Sequence, residues 1–131
     1  MKGRFLISAI LGLCLASSCD YKPRNQGKSL YAKHCSGCHM NDGEGLGELF
    51  PPTANSSYIN EKPQALACII KYGLEGSITV NGTSFNEAMP GNTQLSDVEI
   101  NNLVHYILEV QNKTKNPYTI SDIRAQLSSC N

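Results

Sequence analysis

Cys35-Ser36-Gly37-Cys38-His39 constrains this chain more than any other stretch. Two thiols three positions apart lie on one turn of helix. They can reach two vinyl groups on neighbouring pyrroles of a porphyrin and form thioethers. The next side chain then falls beneath the iron, where a neutral imidazole is a good axial ligand. Cys-x-x-Cys-His is therefore the attachment signature of a c-type haem, and a chain carrying it has to fold around the ring. Zinc would need a fourth ligand, usually from a second pair, and Cys68 and Cys130 are singletons. A thioredoxin-like pair should follow a strand in a βαβ pattern, and none is visible.

A haem of this kind calls for a second axial ligand. Past the first 18 residues the chain has two methionines, Met40 and Met89. Met40 directly follows His39 and cannot swing to the opposite face of the ring. Met89 lies in Glu87-Ala88-Met89-Pro90-Gly91, a turn-rich loop ahead of a strong helical pattern, and Pro90 stiffens the backbone behind the sulfur. It is the expected distal ligand, and His/Met ligation raises a haem's potential relative to bis-His. His34 precedes the first cysteine and is expected at the haem edge or in solvent. His105 falls on the polar side of its helix and reads as a solvated residue.

The address is written at the start. Met1-Lys2-Gly3-Arg4 is cationic, Phe5 to Leu15 is apolar, and Ala16, Ser17 and Ser18 are small. These are the parts of an export signal, and residues 1–18 are left out of fold reasoning. Leu15-Ala16-Ser17-Ser18-Cys19 also resembles a bacterial lipoprotein box, which implies lipidation of Cys19, although Ala16 stands where Leu is commonest. An ordinary secretory signal cut near Ser18 is the alternative. Two or more acyl chains on one cysteine would make membrane attachment stable. Residues 19–26 read as a linker and residues 27–131 as a single domain, a fair size for one core. Removal of Lys2 and Arg4 leaves nine basic residues against eleven acidic. Such a balance argues against a nucleic-acid binder, and no apolar run reaches the roughly 18 residues of a spanning helix.

Pattern places helices at about Gly27–Cys38, Lys62–Tyr72 and Ser96–Gln111, with a further short one over Ile120–Ser128. The third opens on Ser96-x-x-Glu99, a capping box, and puts Ile100, Leu103, Val104, Ile107 and Val110 on one face. Asn81-Gly82 marks a turn in a short hairpin between Ser77 and Phe85.

With these motifs in place, the chain resembles class I cytochromes c, the small monohaem, all-helical electron carriers. The likeness is greatest to bacterial forms with an Ala-Met-Pro-Gly distal loop, and it covers roughly residues 27–128. It implies an all-α fold of three to five helices around one covalently bound haem c. Gly27 and Tyr31 resemble the glycine and aromatic of the family's N-terminal helix, and Leu103 and Tyr106 their partners on the C-terminal helix. Leu49-Phe50-Pro51-Pro52 resembles the segment whose proline carbonyl hydrogen-bonds the proximal imidazole, with Pro51 the better candidate by count. Thr53 stands where the family usually places Leu. Some bacterial members have a comparable terminal extension.

The resemblance implies electron transfer, with no catalytic residues, between redox partner proteins on the periplasmic side of the cytoplasmic membrane. Docking is expected over the haem edge near Cys35 and the Met89 loop, through a weak contact of small area. A tether at Cys19 would suit either a shuttle between respiratory proteins or a dedicated subunit of an oxidase or reductase complex. A third reading is a haem peroxidase or gas sensor in which Met89 leaves the iron, but only Glu87 flanks Met89 as an acid-base group.

Cys68 and Cys130 then remain, the number a disulfide needs. A bridge would pin the terminal helix. The alternative is one buried apolar cysteine and one frayed tail.

Overall fold

The first helix starts on a proline, whose missing N–H costs nothing in the first turn and whose fixed φ suits it. In the computed structural model, which describes residues 23–130, this helix (α1) runs Pro23–His34. It therefore begins four residues before Gly27, inside the segment read as a linker. The export signal and Cys19 lie outside the described residues.

Helix α1 also stops short of Cys38. The chain breaks at Cys35 (φ −120°, ψ −35°) and resumes as a single turn, α2, over Ser36–His39. The Ser36 hydroxyl donates to the Ala32 carbonyl at 2.7 Å, competing for the acceptor that an unbroken helix would use. Met40, at φ +60°, ends the turn.

Ser56 caps a five-residue helix, α3 (Ser57–Glu61), which the sequence pattern did not reveal. A 3-10 turn over Pro63–Ala65 replaces the first turn of the expected second helix, and α4 follows over Leu66–Tyr72. Gly73 (φ +88°) ends α4 and opens β1 (Gly73–Leu74). The hairpin forms as β2 (Ile78–Val80) and β3 (Thr83–Phe85), with Asn81 and Gly82 both at positive φ, as a type I′ turn requires. Strand β4 (Met89–Pro90) pairs antiparallel with β1, matching Leu74 to Met89 and Gly73 to Pro90. A Cβ on Gly73 would run into the Met89 carbonyl, so only glycine permits this approach.

Helix α5 (Asp97–His105) opens on the capping box: Ser96 N–H donates to Glu99 Oε2 at 2.8 Å, and Glu99 N–H to Ser96 Oγ at 3.4 Å. The Ser96 N–H, joined by the Ser96 hydroxyl donating to the same Oε2 at 2.8 Å, holds the Glu99 carboxyl below its ordinary pKa. From Tyr106 to Gln111 the helix widens to π geometry, and Asn112 N–H reaches back five residues to the Ile107 carbonyl at 3.0 Å. The wider turn slips the buried stripe by one residue. Val110, expected on the apolar face, is 42% exposed, while Leu108, Gln111 and Asn112 turn inward. His105 lies 3.7 Å from Glu109 across one turn. The last helix, α6 (Ile120–Ser128), is capped by Thr119 with Asp122 and buries Ile123.

Helix α1 crosses α5 and its π extension at close range. The Tyr31 and Tyr106 rings meet at 5.4 Å, and Leu103 is buried between the helices. A Cβ on Gly27 would sit 2.6 Å from Tyr106 Cβ and also strike the Asn102 carbonyl. Helix propensity alone favours alanine over glycine by roughly 1 kcal/mol. Overpacking of this kind typically costs about 1–3 kcal/mol. Gly27→Ala is thus expected to destabilise, read as a lower denaturant midpoint, and a higher midpoint would mean that the crossing is not tight. Among the described residues, no helix is long and apolar enough to cross a membrane.

Candidate functional site

A cleft opens between the α2 turn on one side and the β1–β4 ladder on the other. It has two lobes, and His39, Pro51, Leu74, Ile78 and Met89 border both. Aliphatic side chains wall the first lobe, chiefly Ile59 of α3, Leu66, Ile69 and Ile70 of α4, and Val80 of β2. The half-buried Cys35 borders that lobe and the exposed Cys38 the second one. The two thiols therefore bracket the cleft, with His39 between its lobes.

His39 is buried, and its Nδ1 is 2.9 Å from the Pro51 carbonyl. A carbonyl only accepts, so Nδ1 carries the proton and Nε2 keeps its lone pair. Burial lowers the imidazole pKa against the opposing pull of the Pro51 bond, which favours the neutral, ligating form. Burial and the neighbouring Cys38 push the Cys35 thiol up to about 11. It remains a thiol at neutral pH, the reverse of the acidic cysteine that thiol–disulfide exchange enzymes use.

Met89 is half-buried and enters from the facing wall. Its loop is fastened independently of anything in the cleft. Leu74 pairs with Met89, Asn92 N–H donates to the Ile70 carbonyl at 2.9 Å, and Lys71 Nζ donates to the carbonyls of Thr93 (2.8 Å) and Leu95 (2.6 Å). Met40, His34 and His105 border neither lobe.

Two thiols bracketing an apolar cleft, one imidazole with a free Nε2 and one thioether on both lobes form a donor set suited to a c-type haem. The residues present fit that group. Cys68 and Cys130 stand apart, joined as a disulfide that links α4 to the end of the chain beyond α6.

Sequence reasoning missed a polar knot in the wall of the cleft. Thr53 Oγ1 lies 2.7 Å from Tyr31 Oη and donates to Gln111 Oε1 at 3.0 Å. Asn112 Nδ2 donates to the carbonyls of Thr53 and Ile107, both at 2.8 Å, while its Oδ1 accepts from Ser56 N–H at 2.7 Å. The single signal in the sequence was Thr53 itself, a polar residue at a position where the resemblance called for Leu.

Comparison with known proteins gives a match to the cytochrome c family model over residues 25–111. The chain is 31% identical to a cytochrome c-552 of Thermus thermophilus, over 86% of this chain and 77% of that protein. A second Thermus thermophilus cytochrome c-552 is 32% identical, over 75% and 81% respectively. The cytochrome c subunit of a quinone alcohol dehydrogenase from Gluconobacter oxydans is 37% identical over 63% of this chain, but only 18% of that subunit is matched.

Proposed function

The chain belongs to the cytochrome c family, and on that premise we propose that it moves single electrons outside the cytoplasmic membrane with His39 and Met89 as axial ligands. It is an all-α, monohaem class I member that transfers electrons through a covalently bound haem c, a carrier rather than a catalyst. The observation that carries the ligand assignment is the cleft itself, which places His39 and Met89 on both lobes and one thiol on each.

A haem bound there supplies a one-electron iron couple. Cys35 and Cys38 would hold its edge as thioethers. His39, its proton fixed on Nδ1 by Pro51, would present Nε2 to one face and Met89 its sulfur to the other. Both donors are neutral and both are held by backbone contacts, so neither has to move when the charge at the centre changes. The aliphatic walls exclude water, while exposed Cys38 and Pro90 leave one edge open for a partner. With His39 and Met89 both holding it, the group would offer no place to a substrate.

Export and lipidation at Cys19 belong to the same proposal, supported by the cationic start, the apolar run and the small residues before that cysteine. Intact mass of the membrane-extracted protein tests attachment and anchoring together. The expected mass exceeds the chain from Cys19 onward by one haem plus acyl groups, and the protein is reversibly reduced by one electron. A colourless protein with the mass of bare polypeptide overturns the reading.

The match to a dehydrogenase's cytochrome subunit favours a second possibility, a fixed place in a membrane complex. A stoichiometric partner copurifying from detergent-solubilised membranes would establish it, and recovery of the protein alone would favour the shuttle.

A further inference from the structure

Pro51 has to present its carbonyl to His39, yet neither Pro51 nor Pro52 has an N–H with which to anchor the segment. The first residue past the carbonyl that can be pinned is Thr53, and it is pinned three times. Its N–H donates to the Gly43 carbonyl at 2.9 Å, and its carbonyl accepts from Asn112 Nδ2 at 2.8 Å. Its hydroxyl joins Tyr31 to Gln111. A hydroxyl has one proton, and here it goes to Gln111 Oε1. Tyr31 must then be the donor to Thr53. The chain of bonds runs from α1 through the proximal loop to the π turn that extends α5.

We propose that Thr53 is a positioning residue for the proximal ligand: its hydroxyl, clamped between Tyr31 and Gln111, fixes the Pro51 carbonyl against His39 Nδ1–H and so tunes the donor strength of the imidazole. The proposal rests on the reading that His39 binds the iron. A short, well-aligned bond at Nδ1 makes the ring a stronger donor and favours the oxidised metal. A slack bond has the opposite effect. In this chain the setting is held by polar contacts across elements distant in sequence rather than by apolar packing of the loop.

The test uses the matured holoprotein. Thr53→Val keeps the shape and removes the link, leaving Tyr31 Oη and Gln111 Oε1 without it. The reduction potential is expected to rise, and His39 Nδ1–H, followed by NMR in the reduced protein, to exchange with water about tenfold faster, as for one lost hydrogen bond. Thr53→Ser, which retains the hydroxyl, should restore both values. Should Thr53→Val fail to fold, Tyr31→Phe removes the donor to Thr53 while keeping the ring against Tyr106, and a smaller shift in the same direction is expected. Lower stability with potential and exchange unchanged, in whichever variant folds, would reduce Thr53 to a structural role and overturn the proposal. The ligand reading fails separately if the His39 ring protons of the wild-type ferric protein show no paramagnetic shift.

Discussion

Met89→Ala abolishes the far-red absorption band of the ferric protein and lowers its reduction potential by on the order of 0.1 V or more. Axial ligands command a range of about 0.8 V, and a thioether favours the reduced state relative to most replacements. The loss should be local. Cys35 and Cys38 still hold the ring, and the loop is still fastened by the Leu74–Met89 backbone pairing, the Asn92 N–H bond to Ile70 and the two Lys71 bonds. Far-ultraviolet circular dichroism should therefore stay near wild type, while added imidazole gains access to the iron. Survival of the far-red band in the variant would remove Met89 from the assignment.

Unfolding of a Cys68→Ala/Cys130→Ala double variant is expected to require about 4 kcal/mol less free energy than the parent, the chain-entropy estimate for releasing a closed loop of this length. The two cysteines are 62 positions apart, so the bridge restrains nearly the whole distal half of the chain in the unfolded state. The native fold has other reasons to hold. Ile123 of α6 is fully buried, and α6 packs on both α4 and α5. Visible spectrum and potential should accordingly remain unchanged while the guanidinium midpoint falls. An unmoved midpoint would show that the bridge contributes nothing to stability. Such a bond also requires an oxidising compartment, in keeping with export.

What could be read from sequence was what depends on near neighbours. Cys35, Cys38 and His39 occupy one turn, Ser96 and Glu99 one capping box, and Asn81-Gly82 one hairpin turn, so spacing alone fixed their geometry. Gly27 and Tyr31 share one face of α1, and both press on α5 and its π extension. Two short-range features nevertheless escaped. The start of α1 at Pro23 was hidden because its first turns lack apolar periodicity, and the break at Cys35 depends on which acceptor the Ser36 hydroxyl takes. Val110 was misplaced because a stripe extrapolated at 3.6 residues per turn cannot foresee a widened turn. The polar knot was illegible for a different reason. Its bonded pairs, Tyr31 with Thr53 and Thr53 with Gln111 and Asn112, are 22 to 59 positions apart, and only the tertiary fold reveals that their hydrogen-bonding groups meet.

The widened turn over Tyr106–Gln111 takes up about one residue more than ordinary helical winding would. Each residue added to or taken from an α-helix rotates everything downstream by about 100°. Deleting one residue here would let ordinary winding return and leave the Asn112 carboxamide near its direction toward Thr53, whereas the same deletion within Asp97–His105 would swing it off Thr53 and twist the path that leads to Ile123 and Cys130. A codon lost ahead of the widened turn would thus derange the proximal loop and the terminal clasp together, although neither lies in the helix itself.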